Sequence, residues 1–72
     1  MKSEWALNNQ VGGEHYKRFI IQPVQFCYRN GLNNCQSEAI SYICRAPFKG
    51  GKQDVEKAIH TLELWLELWD ED

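Results

Sequence analysis

The stretch Gln53-Asp54-Val55-Glu56-Lys57-Ala58-Ile59-His60-Thr61-Leu62-Glu63-Leu64-Trp65-Leu66-Glu67-Leu68-Trp69-Asp70 decides the fold. Val55, Ala58, Ile59, Leu62, Leu66 and Trp69 recur at steps of three and four, the spacing of one helix face. Asp54 and Glu56 sit near its start, where negative charge suits the positive end of the helix dipole. The segment predicts a helix over about residues 53–70, the longest of the chain. Leu64, Trp65 and Leu68 add apolar surface beyond that stripe. The surplus reads either as a wide core face or as a subunit interface, which tryptophan favours. On the second reading Leu64, Trp65, Leu68 and Trp69 form the seam of a homo-oligomer.

Upstream of this helix, Pro47-Phe48-Lys49-Gly50-Gly51-Lys52 reads as a loop. A second helix is expected over about 35–45, with Asn33 or Asn34 as its cap. Ala39, Ile40, Ile43 and Cys44 give it an apolar side. Pro47 is expected to end it and to push Ala46 into extended geometry. A first helix is expected over about 23–30, because proline suits the first helical turn. Gly31 then supplies its left-handed stop. Residues 1–14 are a polar segment with Trp5 and Leu7 as docking points. The expected fold is all-α, a small bundle of about three helices in one domain spanning 15–72.

The chain has 72 residues, of which 43% are hydrophobic and 25% charged, as befits a small folded protein. A chain this short buries only roughly 60% of the surface it exposes when unfolded. Small cores of this kind are commonly reinforced by a staple, a metal or self-association. Cys27, Cys35 and Cys44 are odd in number, and their spacing matches neither a disulfide framework nor a zinc site. No metal or cofactor is therefore expected, and self-association becomes the leading source of extra stability. No apolar run is longer than three residues, as in Phe19-Ile20-Ile21, so no membrane span is expected. The N-terminus lacks a signal-like apolar stretch, which makes the cytosol the expected compartment.

The net charge of −2 conceals a separation. Residues 15–52 hold Lys17, Arg18, Arg29, Arg45, Lys49 and Lys52 against Glu38 alone. Residues 53–72 hold Lys57 against seven acids. A basic middle on an acidic chain implies a local anionic ligand and gives no strong nucleic-acid signal. The alternative is that these charges are solvated or pair with the acidic helix.

Three constellations could hold such a ligand. Lys49-Gly50-Gly51-Lys52 precedes a helix N-terminus, where close backbone approach and free N–H groups favour phosphate. It is no P-loop, and Gly-Gly between helices also makes an ordinary turn. His15 and Tyr16 offer a donor, a stacking face and a hydroxyl, with Lys17 and Arg18 directly after; they read equally as a structural pair. Tyr42 and Arg45, three residues apart, share a helix face. There a ring could stack on a base and a guanidinium could grip phosphate through two bonds. On the structural reading Tyr42 belongs to the core and Arg45 pairs with a carboxylate such as Asp54. Catalysis has no nucleophile motif behind it, and Glu38 and Asp54 are the only acids close in sequence to the basic region that could hold magnesium.

Together His15-Tyr16, Gln22-Pro23 with Phe26, Ala39-Ile40, Tyr42, Arg45, Lys49-Gly50-Gly51, Asp54, Lys57-Ala58 and Leu62 resemble a small phage and prophage domain of unknown function. That domain carries a nucleotide kinase-like label, and the likeness covers about residues 15–66. It implies His15, Tyr16, Tyr42, Arg45, Lys49, Asp54 and Lys57 as ligand contacts. The chain departs from the pattern in its second helix. Ser37, Glu38 and Ser41 stand where the family often has a Gly-Asn pair and a lysine, so kinase chemistry does not carry over. The resulting expectation is a phage protein that binds a nucleotide or cyclic nucleotide in an infected cell. It would use the residues named above with Gly50, Gly51 and Lys52, and would sequester a signal of host antiviral defence. One alternative is a magnesium-dependent nucleoside monophosphate kinase. Another is an inhibitor that grips a host protein through its apolar last helix.

Overall fold

A computed structural model describes residues 19–71. Among these residues the chain is all-helical and contains no strand. A short α1 (Pro23–Arg29) leads to α2 (Asn34–Arg45), a π-helical turn (Ala46–Gly50) and α3 (Gly51–Trp69), the longest element. The N-terminal segment, with the expected docking points Trp5 and Leu7 and the candidates His15 and Tyr16, lies outside the described residues.

The corner between α1 and α2 is built from two capping motifs placed back to back. Pro23 opens α1 where its missing N–H is no loss. Gly31, at φ 65°, closes it in the left-handed region. The Leu32 amide donates to the Cys27 carbonyl at 3.0 Å and the Gly31 amide to the Tyr28 carbonyl at 3.2 Å. Asn33 then caps α2. Its Oδ1 accepts from the Gln36 amide at 2.8 Å, and its own amide donates to Gln36 Oε1 at 2.9 Å. This reciprocal pair satisfies two otherwise orphaned donors.

The connection from α2 to α3 differs from the sequence expectation. Ala46 is not extended but helical, at φ −50° and ψ −48°, and residues 46–50 form one wide turn instead of a loop. Pro47 enters this turn near its start, and the turn widens where its missing amide interrupts the α-helical ladder. The Gly51 amide closes the turn on the Ala46 carbonyl, five residues back. Gly51, at φ 57°, redirects the chain, so α3 begins two residues earlier than the pattern predicts.

The packed face of α3 is also not the predicted stripe. Asp54, Ala58 and Thr61 are buried and Trp65 is half-buried. Of the predicted set only Ala58 is buried; Val55, Ile59, Leu62, Leu66 and Trp69 are between 41% and 67% exposed. The real face lies one residue earlier in sequence, about 100° around the helix. Buried alanines, Ala39 on α2 and Ala58 on α3, let the two helices approach closely. Ile43, on the predicted apolar side of α2, is likewise exposed.

Replacing Asn33 with alanine removes the side-chain acceptor of the Gln36 amide and leaves the backbone bond to Gln36 Oε1 in place. The expected cost is about 1 kcal/mol, which lowers the thermal midpoint by roughly 4–8 °C for a domain of this size. Thermal denaturation followed by circular dichroism measures it.

Candidate functional site

Two side-chain bonds fix α3 against α2. Arg45 closes a two-pronged ion pair on Asp54. Its Nε donates to Oδ2 at 2.8 Å and its Nη2 to Oδ1 at 2.9 Å. Asp54 is only 1% exposed, whereas the Arg45 side chain keeps 30% of its surface. Higher up, Thr61 Oγ1 donates to Glu38 Oε1 at 3.1 Å. Both bonds obey one antiparallel register, which places Asn34, the first residue of α2, opposite Trp65. From Leu66 onward α3 therefore runs past the start of α2.

Gly50 belongs to the same unit. A Cβ at this position would collide with the Asp54 carboxylate, including both of its oxygens. Glycine is thus required here by the close approach of a side chain, since Gly50 itself has an ordinary φ of −84°. The Asp54 carboxyl lies below its usual value of 3.8, first because Arg45 hydrogen-bonds its charged form. Burial opposes this, while the charges of Arg45 and Lys57 and a bond from the Gly50 backbone reinforce it. Arg45 and Asp54, both candidate ligand contacts, are engaged with each other. The fork that would grip a phosphate holds Asp54 instead. Each Asp54 oxygen accepts one bond from Arg45, and one oxygen of Glu38, the other acid near the basic region, accepts from Thr61.

Beside this unit, between α2 and α3, lies an open cleft of about 380 Å³. Tyr42 and Glu38 line it from α2. Lys57, His60 and Thr61 line it from α3, with Gln53, Glu56 and Leu64 completing the wall. The Tyr42 ring faces two cations: the Arg45 guanidinium carbon is 5.3 Å and Lys57 Nζ 5.7 Å from its centroid. Tyr42 and Lys57 are the two sequence candidates that line the cleft. Lys49, Lys52 and Gly51 are exposed at the turn, away from its lining. Gln53, Glu56, His60 and Thr61 were missed by the sequence reading. Their spacing along one flank of α3 would have found them once the buried face was known. Leu64, expected in the oligomer seam, lines the cleft. Trp65 and Trp69 pack against each other in a tilted pair, with ring centroids 5.2 Å apart and 38° between the ring planes.

The described cysteines are free thiols. Burial, and then the nearby Cys27, push the Cys44 thiol up, which keeps it protonated and a poor nucleophile. Among the described residues no three His, Cys, Asp or Glu side chains gather as a metal ion would require. No helix among them is long and apolar enough to cross a membrane.

No family model matches the chain, and no curated protein or solved structure is similar to it. The likeness to the phage domain rests on the quoted residues alone.

Two outcomes are expected from the ion-pair unit. Gly50→Ala lowers stability strongly in the native chain and less in an Asp54→Ala background, because the clash partner is gone. A double-mutant cycle by thermal or urea denaturation reads this coupling. The second outcome concerns acid. A carboxyl held below its unfolded value contributes stability that is present above 3.8. That contribution declines as pH falls and is lost once pH passes through the folded-state value. Between pH 7 and pH 2, the thermal midpoint of the native chain should therefore fall further than that of Asp54→Asn.

Proposed function

We propose that the chain binds a nucleotide or cyclic nucleotide in the α2–α3 cleft and holds it without converting it. The observation that carries this reading is the Tyr42 ring on the cleft wall with two cations against it. A base can take the place of Lys57 on the ring, and the freed ammonium then pairs with the ligand's phosphate. The cleft volume falls within the roughly 300–1,000 Å³ of small-molecule sites. Lys49 and Lys52, exposed on the adjoining turn, add positive field. His15 and Tyr16 are further contacts proposed from the family likeness. Binding without conversion agrees with the pairing of Asp54 to Arg45, which gives that carboxylate a structural task. In a phage setting such a protein would act by sequestering a nucleotide signal of host defence in the infected cell's cytoplasm. Self-association through α3 belongs to the same reading, because its apolar stripe is exposed.

A second reading is favoured by the overhanging end of α3. Leu66, Leu68 and Trp69 are exposed there, and a host protein could be gripped through them with no nucleotide involved.

The test incubates the purified chain with mono-, di- and cyclic nucleotides and with ATP and magnesium. Thermal shift is measured, and the ligand is recovered by heating. The expected result is a shift with intact ligand. Lys57→Ala should weaken binding at least tenfold, since a charged hydrogen bond contributes about 1.5–3 kcal/mol. Tyr42→Phe should retain binding and Tyr42→Ala should lose it. Absence of a shift with every nucleotide sinks this reading in favour of the second. A phosphorylated product would establish the kinase instead.

A further inference from the structure

We propose that α3 packs antiparallel against α3 of a second copy, along Val55, Ile59, Leu62, Leu66 and Trp69. This gives a geometry to the self-association stated above and rests on it. The stripe has steps of four, three, four and three, which is the spacing of a helix–helix seam. It lies about 100° around α3 from the face that holds α2, so a partner helix reaches it without displacing α2. The exposed stripe continues onto the overhang, where Leu66 and Trp69 lie beyond the first residue of α2.

Charge chooses the occupant and its direction. Lys52 is exposed in the first turn of α3 and Lys49 in the turn just before it, with Glu67, Asp70 and Glu71 exposed at the other end. A parallel pair would bring the two acidic ends together. An antiparallel pair sets Lys52 of each copy near Asp70 and Glu71 of the other and opposes the helix dipoles. The two-fold axis then passes at Leu62, the middle of the stripe. Val55 faces Trp69 and Ile59 faces Leu66, so the smallest side chain of the stripe meets the largest. A second copy thus supplies both the apolar and the charged complement, as an isologous interface requires.

Size-exclusion chromatography with light scattering, run on the full chain across micromolar concentrations, tests this. The expected mass is twice the 8.5 kDa of one chain. Leu62→Glu should return the mass of one chain while far-ultraviolet circular dichroism keeps its helical signal. Lys52→Glu and Asp70→Lys should each weaken association about fivefold, in keeping with exposed ion pairs, and the two together should restore it. A single-chain mass at every concentration overturns both the pairing and the self-association. An assembly indifferent to Leu62→Glu overturns this seam while self-association stands. Failure of the combined charge reversal to restore association overturns the antiparallel direction. Should Leu62→Glu lose its helical signal, the charge pair at the exposed positions 52 and 70 decides.

Discussion

The structure turns on the ion pair between Arg45 and Asp54. A carboxylate taken out of water is costly unless charge and hydrogen bonds are returned to it. The planar guanidinium returns both, one N–H to each oxygen. This requirement fixes how α3 is rotated, because Asp54 must face α2. Ala58 and Thr61 follow it inward, and Thr61 finds Glu38 in the same register. The wide turn over Ala46–Gly50 places the two ends of the bond at the right separation, and glycine at 50 leaves room for the carboxylate. Polar atoms therefore set the helix packing of a chain whose buried apolar residues, among those described, include Cys27 and three alanines.

That hierarchy explains what could be read from the sequence. The long last helix, the stop at Gly31 and the cap at Asn33 are local matters of spacing, handedness and side-chain reach, and each was legible. The rotation of α3 was not. Residues 54, 58, 61 and 65 have the same four-three-four spacing as residues 55, 59, 62 and 66, and hydrophobicity favours the wrong set. The pairing of Arg45 with Asp54, one of two readings that the sequence left open, separates them. Ala46 misled for a related reason. The preference of a residue before proline for extended backbone is modest, and the tertiary bond across the turn outweighs it.

The candidate site inherits this logic. Tyr42 was visible as an aromatic ring sharing a helix face with Arg45, and Lys57 only through the family resemblance. His60, Gln53 and Glu56 were hidden, since nothing in their order marks them until the buried face of α3 is known. Arg45, the most prominent cation of the pattern, pairs with Asp54 and lies 5.3 Å from the centre of the Tyr42 ring. Among the described residues the positive middle of the chain is thus divided between the structural guanidinium of Arg45 and the exposed side chains of Arg29, Lys49 and Lys52, with Lys57 adding an exposed ammonium from α3.

The contact between Gly50 and the Asp54 carboxylate carries one more consequence. Glycine at 50 is needed for its lack of a side chain, not for an unusual backbone angle. Its value lies wholly in what stands at position 54. A lineage that lost the carboxylate would lose the reason for the glycine as well, and for the arginine that neutralises it. Residues 45, 50 and 54 therefore form a single heritable unit, within which drift at one position sets the other two free.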